Sequence, residues 1–159
     1  MTDSIALIES MEQRLEAELH DTIPLVRALG LKVAQSHAGV VVFNAALAPN
    51  INDKGCAFGG SLASLLTLAC WSVLRVHTWA QNLPSDIFVH TSRLVYIAPI
   101  WADFTVHANL SPEALNQFTE TLMLKGKAAA IIRAEIRTAD GGVAATMEAR
   151  FVAMLPKAK

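Results

Sequence analysis

Two segments of the chain carry the pattern of apolar and polar residues that is typical of a helix. Residues 4–21 predict an amphipathic helix that ends before Pro24 and flanks the core. Residues 59–79 predict a second helix that is apolar over most of its circumference. The spaced apolar residues of the first segment are Ile8, Met11, Leu15 and Leu19.

Strand-like runs occupy most of the remaining chain. Two valine-rich runs, 31–37 and 40–47, predict a hairpin, and alternating residues at 127–138 and 143–154 predict a second antiparallel hairpin. The segments 86–97 and 102–110 have strand composition and are joined by a turn at Pro99. Between them and the last hairpin, Ser111 and Pro112 predict one helical turn, followed by a partly extended stretch to residue 126.

The apolar helix could also be long enough to span a membrane, because residues 55–74 carry no charge. Its hydroxyl residues, however, fall within roughly 140° of the helical wheel, which favours a buried core helix. Such a helix needs walls on several sides, and a curved antiparallel sheet supplies them. The sequence therefore predicts an α+β fold with a long central helix wrapped by that sheet. The hydroxyl residues are Ser61, Ser64, Thr67 and Ser72.

Size and composition indicate one domain over residues 1–159 that does not bury all its apolar surface alone. The chain has a mass of 17.1 kDa, and apolar residues make up 53% of it against 17% charged residues. Because one small core has little room for this surplus, we expect an oligomer. The two cysteines, Cys56 and Cys70, lack CxxC spacing, and the start of the chain lacks a signal-peptide pattern, so we expect a cytoplasmic protein with no membrane partner.

Charge is unevenly distributed although the net charge is only -1. Residues 1–21 are acidic, whereas residues 125–159 are basic. A basic segment of this size suits a phosphorylated small molecule or an acidic carrier protein, but it is too weak to predict nucleic-acid binding. No spacing of histidine, cysteine and carboxylate residues indicates a metal site.

The segment Asn52-Asp53-Lys54-Gly55-Cys56-Ala57-Phe58-Gly59-Gly60-Ser61 precedes the long helix, which contains Trp71, and Tyr96-Ile97-Ala98-Pro99 ends a later strand. Together with the order of elements, these motifs resemble the hotdog-fold thioesterase-like family that also occurs fused behind acetyltransferase-like domains in some bacteria. The resemblance implies an acyl thioesterase of fatty acid metabolism, acting on acyl-CoA or acyl-carrier-protein. It also implies a homodimer, or a tetramer of paired dimers, with each site at the subunit interface. Coenzyme A or phosphopantetheine is then part of the substrate, and no separate cofactor is expected.

Thioester hydrolysis needs a polarised carbonyl and an activated water. The backbone N–H groups of Gly59 and Gly60 could stabilise an oxyanion, although the two glycines could equally serve close packing. Asp53 is the candidate base or nucleophile, with Asn52 as an orienting residue, and the alternative is that Asp53 belongs to an ordinary turn. Cys56 is expected to be structural, because nothing nearby in sequence lowers the pKa of its thiol.

The chain departs from better-known hotdog thioesterases at two positions. Phe58 replaces the histidine before the glycine pair, and Thr67, or its neighbours Leu66 and Leu68, lies where an acidic residue is usual. Ser61 and Ser64 therefore become candidates for holding water, unless they bond back to helix carbonyls. The missing histidine makes a hydroxyacyl-thioester dehydratase a weaker alternative, and a non-catalytic acyl-CoA or acyl-carrier binding module is the alternative from another class.

Substrate contacts complete the expected site. His90 is expected on one strand face with Ser92, Leu94 and Tyr96, from which His90 and Tyr96 could approach the substrate together with Phe58. Three basic residues could pair with the phosphates of coenzyme A or phosphopantetheine, unless they simply form a solvated surface. They are Lys125, Lys127 and Arg133.

Overall fold

A computed structural model describes residues 9–157. The first five residues of the predicted helix 4–21, which include Ile8, lie outside the described residues. The helices are α1 Met11–Thr22, α2 Pro24–Leu29, α3 Gly59–Ala80 and α4 Pro112–Lys125. The strands are β1 Leu31–His37, β2 Val40–Ala45, β3 Asp86–Tyr96, β4 Phe104–Asn109, β5 Lys127–Arg137 and β6 Val143–Met154.

All six strands form one antiparallel sheet in the order β1-β2-β4-β5-β6-β3. Both predicted hairpins, β1–β2 and β5–β6, are confirmed. The strands β3 and β4 follow each other in sequence but are not neighbours, because β4 lies between β2 and β5. As a result, β3 forms one edge of the sheet and pairs with β6.

The helix α3 is the core helix that its composition predicts. Its side chains Leu65, Leu66 and Leu74 are fully buried, and β2 to β6 all contact it. By length and composition alone α3 would also pass as a membrane span, but the strands around it are those expected of a core helix. Ser72 is buried among them and therefore does not share the partly exposed stripe of Ser61, Ser64 and Thr67.

The prediction of a partly extended stretch before residue 126 is wrong, because the segment Pro112–Lys125 is helical throughout. Ser111 caps α4 by accepting a hydrogen bond from the Ala114 N–H, and Pro112 occupies the first turn, as predicted. The helix then continues because three apolar side chains share one buried face, and it ends at Gly126, whose φ is 69°. These side chains are Leu115, Phe118 and Leu122.

Helix α1 seals the β1 edge of the sheet. The Glu16 carboxylate accepts a hydrogen bond from the Val33 N–H at 2.8 Å, and Glu12 accepts one from the Ser36 N–H at 3.0 Å. Burial raises the pKa of Glu16, but the Val33 N–H and Lys32 outweigh it, so that pKa lies below the ordinary value. The two carboxylates thus accept hydrogen bonds from backbone N–H groups that an edge strand would otherwise offer to another chain.

Candidate functional site

The loop before α3 is anchored by Asn50, a residue that the sequence did not single out. Asn50 is 1% exposed, and its Nδ2 donates to the carbonyls of Leu29 and Ala46, both at 2.8 Å. The Asn50 carbonyl in turn accepts the Phe58 N–H at 2.7 Å. Nothing in the local sequence distinguishes Asn50 from a solvated loop asparagine, because its partners lie in other parts of the fold.

The tip of the loop is organised by Asn52. Its Oδ1 accepts the Lys54 N–H at 2.8 Å, and its Nδ2 donates to the Cys56 Sγ at 3.2 Å. Asp53 is the exposed member, with 80% of its side chain accessible, and it pairs with Lys54 at 2.9 Å. The turn is therefore closed by the side chain of Asn52, which leaves the Asp53 carboxylate without a recorded backbone hydrogen bond within residues 9–157.

The first turn of α3 carries backbone N–H groups that have no carbonyl acceptor within the helix. Phe58 is the N-cap residue and its side chain makes no capping hydrogen bond. The N–H groups of Gly59, Gly60 and Ser61 consequently point out of the helix start, where the helix dipole favours negative charge. Such donors are the kind that stabilise an oxyanion.

Two aromatic rings, those of Tyr96 and Phe58, flank these donors. The Tyr96 hydroxyl donates to the Gly59 carbonyl at 3.0 Å, and a Cβ on Gly59 would lie 3.4 Å from the Tyr96 ring. A Cβ on Gly60 would lie 2.3 Å from Phe58 Cε1, a distance at which the ring must move. Gly60 is thus packed against the ring of Phe58, whereas a side chain at Gly59 would make only an ordinary contact with Tyr96. This packing is compatible with a role of the two N–H groups as donors.

The hydroxyl residues of α3 differ in how they are used. Ser64 donates back to the Gly60 carbonyl at 2.9 Å, and Thr67 donates to the Ala63 carbonyl at 2.8 Å, as expected for serine and threonine inside a helix. The Ser61 hydroxyl has no recorded partner in the part of the chain that the structure describes. Among the three, Ser61 is therefore the hydroxyl that remains available beside the donor turn.

A cavity of about 320 Å³ opens beside Gly59, close to the lower limit of small-molecule sites. Tyr96 lines it, together with Leu62 from α3 and the segment 97–100 that follows β3. A larger groove of about 530 Å³ lies elsewhere, among Arg93, Arg133 and Arg137. Arg133 belongs to that groove and pairs with Glu148 at 3.1 Å.

The lysines are far from the loop within one protomer. Lys127 pairs with Met154, which pairs with Asp86 at the start of β3, whereas Tyr96 ends β3 beside Gly59. The length of β3 therefore separates Lys127, and the adjacent Lys125, from the loop by about 30 Å. The structure does not bring these lysines and the donor turn together within one chain.

His90 does not share a strand face with Ser92, Leu94 and Tyr96, and this expectation is wrong. The register of β3 against β6 shifts between Val89 and Thr91, so His90 is the extra residue of a bulge. Its Nδ1 lies 3.0 Å from Nη1 of Arg150, an exposed residue. The bulge interrupts the alternation of side chains on which the prediction depended.

Both cysteines are free and buried. Burial raises the pKa of Cys70 to about 12, which makes it a structural thiol. Within residues 9–157 no three histidine, cysteine or acidic side chains are grouped so as to hold a metal ion.

The sequence also matches a known protein family over almost all of the described residues. The family model described as "Putative thioesterase (yiiD_Cterm)" matches residues 12–155. The chain belongs to this thioesterase family. Its match extends from the second residue of α1 to the residue after β6, so it includes the loop, the donor turn and the whole sheet.

Solved structures share the same architecture. A Chlorobaculum tepidum protein of unknown function superposes with a TM-score of 0.85 at 25% identity, covering 91% of this chain and 94% of its own. A Shewanella oneidensis protein described as a putative thioesterase gives 0.81 at 25% identity, with 91% and 97% covered. A Pseudomonas aeruginosa protein described as a probable thioesterase gives 0.77 at 23% identity, with 90% and 95% covered. No curated protein matches the chain. The fold is the hotdog fold, as the sequence motifs imply.

Proposed function

We propose that this member of the family hydrolyses acyl thioesters of coenzyme A or of an acyl carrier protein at the N-terminal turn of α3. The observation that carries the proposal is the set of uncapped N–H groups on Gly59, Gly60 and Ser61, next to a cavity lined by Tyr96. The thioester carbonyl oxygen would lie at these donors, which stabilise the negative charge that develops on it. Phe58 and Tyr96 would flank the thioester.

The loop supplies the candidate groups for water activation. The Asp53 carboxylate would take a proton from water as the water oxygen attacks the carbonyl carbon. The C–S bond then breaks, the acid is released, and the departing thiolate takes up the proton. Asn52 shapes the tip on which Asp53 stands, and Ser61 could hold the attacking water because its hydroxyl is not used within the helix.

A homodimer with the site at the subunit interface is part of the same proposal. Asp53, Phe58 and Tyr96 are all more than half exposed in the protomer, whereas oxyanion stabilisation is strongest where water is excluded. The site therefore needs a further wall, which a second copy would supply.

The free, buried cysteines support a reducing, cytoplasmic setting.

Steady-state hydrolysis of an acyl-CoA panel tests the proposed reaction, with release of the free thiol as the readout. Asp53→Asn and Asn52→Ala should each lower kcat/KM by at least tenfold, while Asp21→Asn, at the exposed end of α1, should leave it unchanged. Full turnover by both loop variants would place the chemistry elsewhere. Tight acyl-CoA binding without thiol release would instead establish the binding-module alternative.

A further inference from the structure

The cavity beside Gly59 has an apolar floor. Ala57, Leu62 and Ile100 line it, and all three are buried. Among the described residues, none that lines this cavity carries a charge, and the Tyr96 hydroxyl is already bonded to the Gly59 carbonyl. An apolar recess next to backbone donors suits an acyl chain whose carbonyl oxygen lies at those donors.

A second cavity, of about 470 Å³, adjoins the first. Residues 98–100 line both cavities, so this segment is the wall between them. The polar side chains of the second cavity already form hydrogen bonds within the fold, which leaves an apolar surface beside the wall. These polar residues are Asp103, Thr138 and Asp140, and the apolar surface includes Trp101, Val143 and Ala144.

Backbone hydrogen bonds hold the wall on both sides. The N–H groups of Ile97 and Ala98 donate to the Ala144 carbonyl at 2.8 and 3.1 Å, and the Ile100 carbonyl accepts the Ala57 N–H at 2.9 Å. Of the three wall residues, Ile100 alone has a buried side chain, which is 2% exposed. The Ile100 side chain is therefore the part of the wall that a substitution can remove while the backbone stays bonded.

We propose that the acyl group of the substrate fills the cavity beside Gly59 and that Ile100 sets the length of chain that this protein accepts. The proposal rests on the proposed hydrolysis and deepens it by naming the substrate class, which is straight-chain acyl groups of up to about ten carbons. A cavity of about 320 Å³ holds roughly ten groups of the size of a water molecule, at ~30 Å³ each. A longer chain meets Ile100 and leaves its last methylene groups in water.

This arrangement predicts a characteristic dependence of activity on chain length. Each methylene group that enters the cavity should raise kcat/KM about fourfold, as expected for its removal from water. The rise should stop near decanoyl-CoA, because further methylene groups find no apolar surface. Thiol release from hexanoyl- to palmitoyl-CoA measures the profile, and a rise that continues to palmitoyl-CoA would overturn the wall.

Ile100 variants test the wall directly. Ile100→Ala joins the two cavities and should raise the ratio of kcat/KM for palmitoyl-CoA to that for octanoyl-CoA at least tenfold. Ile100→Val removes one methyl group and should raise the same ratio by a smaller factor, which keeps the test decisive if Ile100→Ala does not fold. Ile132→Ala is the matched control, because it truncates a fully buried isoleucine that lines neither cavity. Its ratio should equal that of the wild type.

A second substitution tests where the longer chain goes. Val143 lines the second cavity but not the first, and its side chain is partly exposed, so a larger side chain there can be accommodated. Val143→Trp should leave the wild-type ratio unchanged and should return the ratio of Ile100→Ala to the wild-type value. A ratio that stays high in the double variant would show that the longer chain does not enter the second cavity.

Fatty acid binding separates this proposal from the proposed hydrolysis. The carboxylate of a fatty acid is favoured at the start of α3, as the thioester oxyanion would be. Calorimetric Kd values for hexanoate to palmitate, below their micelle concentrations, should fall about fourfold per methylene group as far as decanoate in the wild type, and beyond it in Ile100→Ala. A shifted binding profile without thiol release would support the acyl cavity and refute the hydrolysis. Hydrolysis with a ratio that neither Ile100 variant changes would place the acyl chain elsewhere.

Discussion

The glycine at position 60 offers a sharp test of how the donor turn is built. In Gly60→Ala the new Cβ would lie 2.3 Å from Cε1 and 2.7 Å from Cζ of Phe58. These atoms are at the far end of a side chain that is already 54% exposed. We therefore expect the ring to turn into solvent while the helix stays in place.

The stability change should be small because two effects oppose each other. Burying a whole phenylalanine is worth about 1.5–3 kcal/mol, so losing the buried part of Phe58 costs roughly 1 kcal/mol. Replacing glycine by alanine within a helix gains about 0.5–1 kcal/mol. The free energy of unfolding of Gly60→Ala, measured in urea, should lie within about 1 kcal/mol of the wild-type value.

Activity should fall although the free energy of unfolding changes little. Loss of one oxyanion donor costs about 10²–10³ in rate; here the donors remain and only the shielding ring leaves, so we expect about a tenfold loss in kcat/KM, or 1.4 kcal/mol. Phe58→Ala should lose about as much. Because both changes remove the same ring, the double variant should be no worse than either single variant.

The double-mutant cycle separates loss of the Phe58 ring from direct blocking of the carbonyl site by the new methyl group. In the Phe58→Ala background, Gly60→Ala should become stabilising, since no ring remains to be displaced. Gly59→Ala is the matched control, because the atoms nearest to its Cβ belong to Tyr96 at an ordinary 3.4 Å, and its effect should not depend on Phe58. Additive losses of activity in the Phe58/Gly60 pair would refute the reasoning and show that the methyl group itself blocks the carbonyl site.

Three further predictions concern stability and reactivity. Asn50→Ala removes both hydrogen bonds that a buried side chain donates and should destabilise the fold by about 2–3 kcal/mol in urea unfolding, whereas Asn109→Ala, at an exposed position, should change it little. The pKa of Glu16 lies below its ordinary 4.5, so its ionised form stabilises the fold above that pH; a titration of stability should show the wild type losing its advantage over Glu16→Gln as the pH falls through the lowered value. Cys70, with a pKa of about 12, should resist thiol reagents at pH 8 until the chain unfolds, and labelling in the native state would contradict its assignment as a buried thiol.

Periodicity was sufficient for most of the fold. The α3 helix and the β5–β6 hairpin were predictable because each repeats its pattern over many residues. The segment 112–125 was not, since Leu115, Phe118 and Leu122 are too few to exclude a strand without knowledge of what they pack against. The bulge at His90 was also invisible, because an extra residue in one strand is defined only by its partner strand.

In the candidate site, too, the features set by local sequence could be predicted and those set by tertiary contacts could not. Gly59 and Gly60 were identifiable because a glycine pair at a helix start leaves backbone donors uncovered. The reason for Gly60, the ring of its neighbour Phe58, and the anchoring by Asn50 both depend on tertiary geometry. The position of the two lysines could not be predicted either: sequence reveals the charge of Lys125 and Lys127 but not the end of the sheet on which they lie.

Exposure of the donor turn links catalysis to assembly. Charges and dipoles act weakly through water and strongly where water is excluded, yet Asp53 is 80% accessible and Tyr96 55% accessible in one protomer. If a second copy supplies the missing wall, specific activity must fall when the protein is diluted below its dimer dissociation constant, and the fall must track the monomer fraction measured by sedimentation. Val89→Arg, which adds a charge to the exposed apolar residues of the edge strand β3, should shift both curves to higher concentration together, whereas Arg27→Ala on α2 should shift neither. A monomeric Val89→Arg protein with wild-type kcat/KM would show that the donor turn works in solvent, and the interface would then have no part in the chemistry.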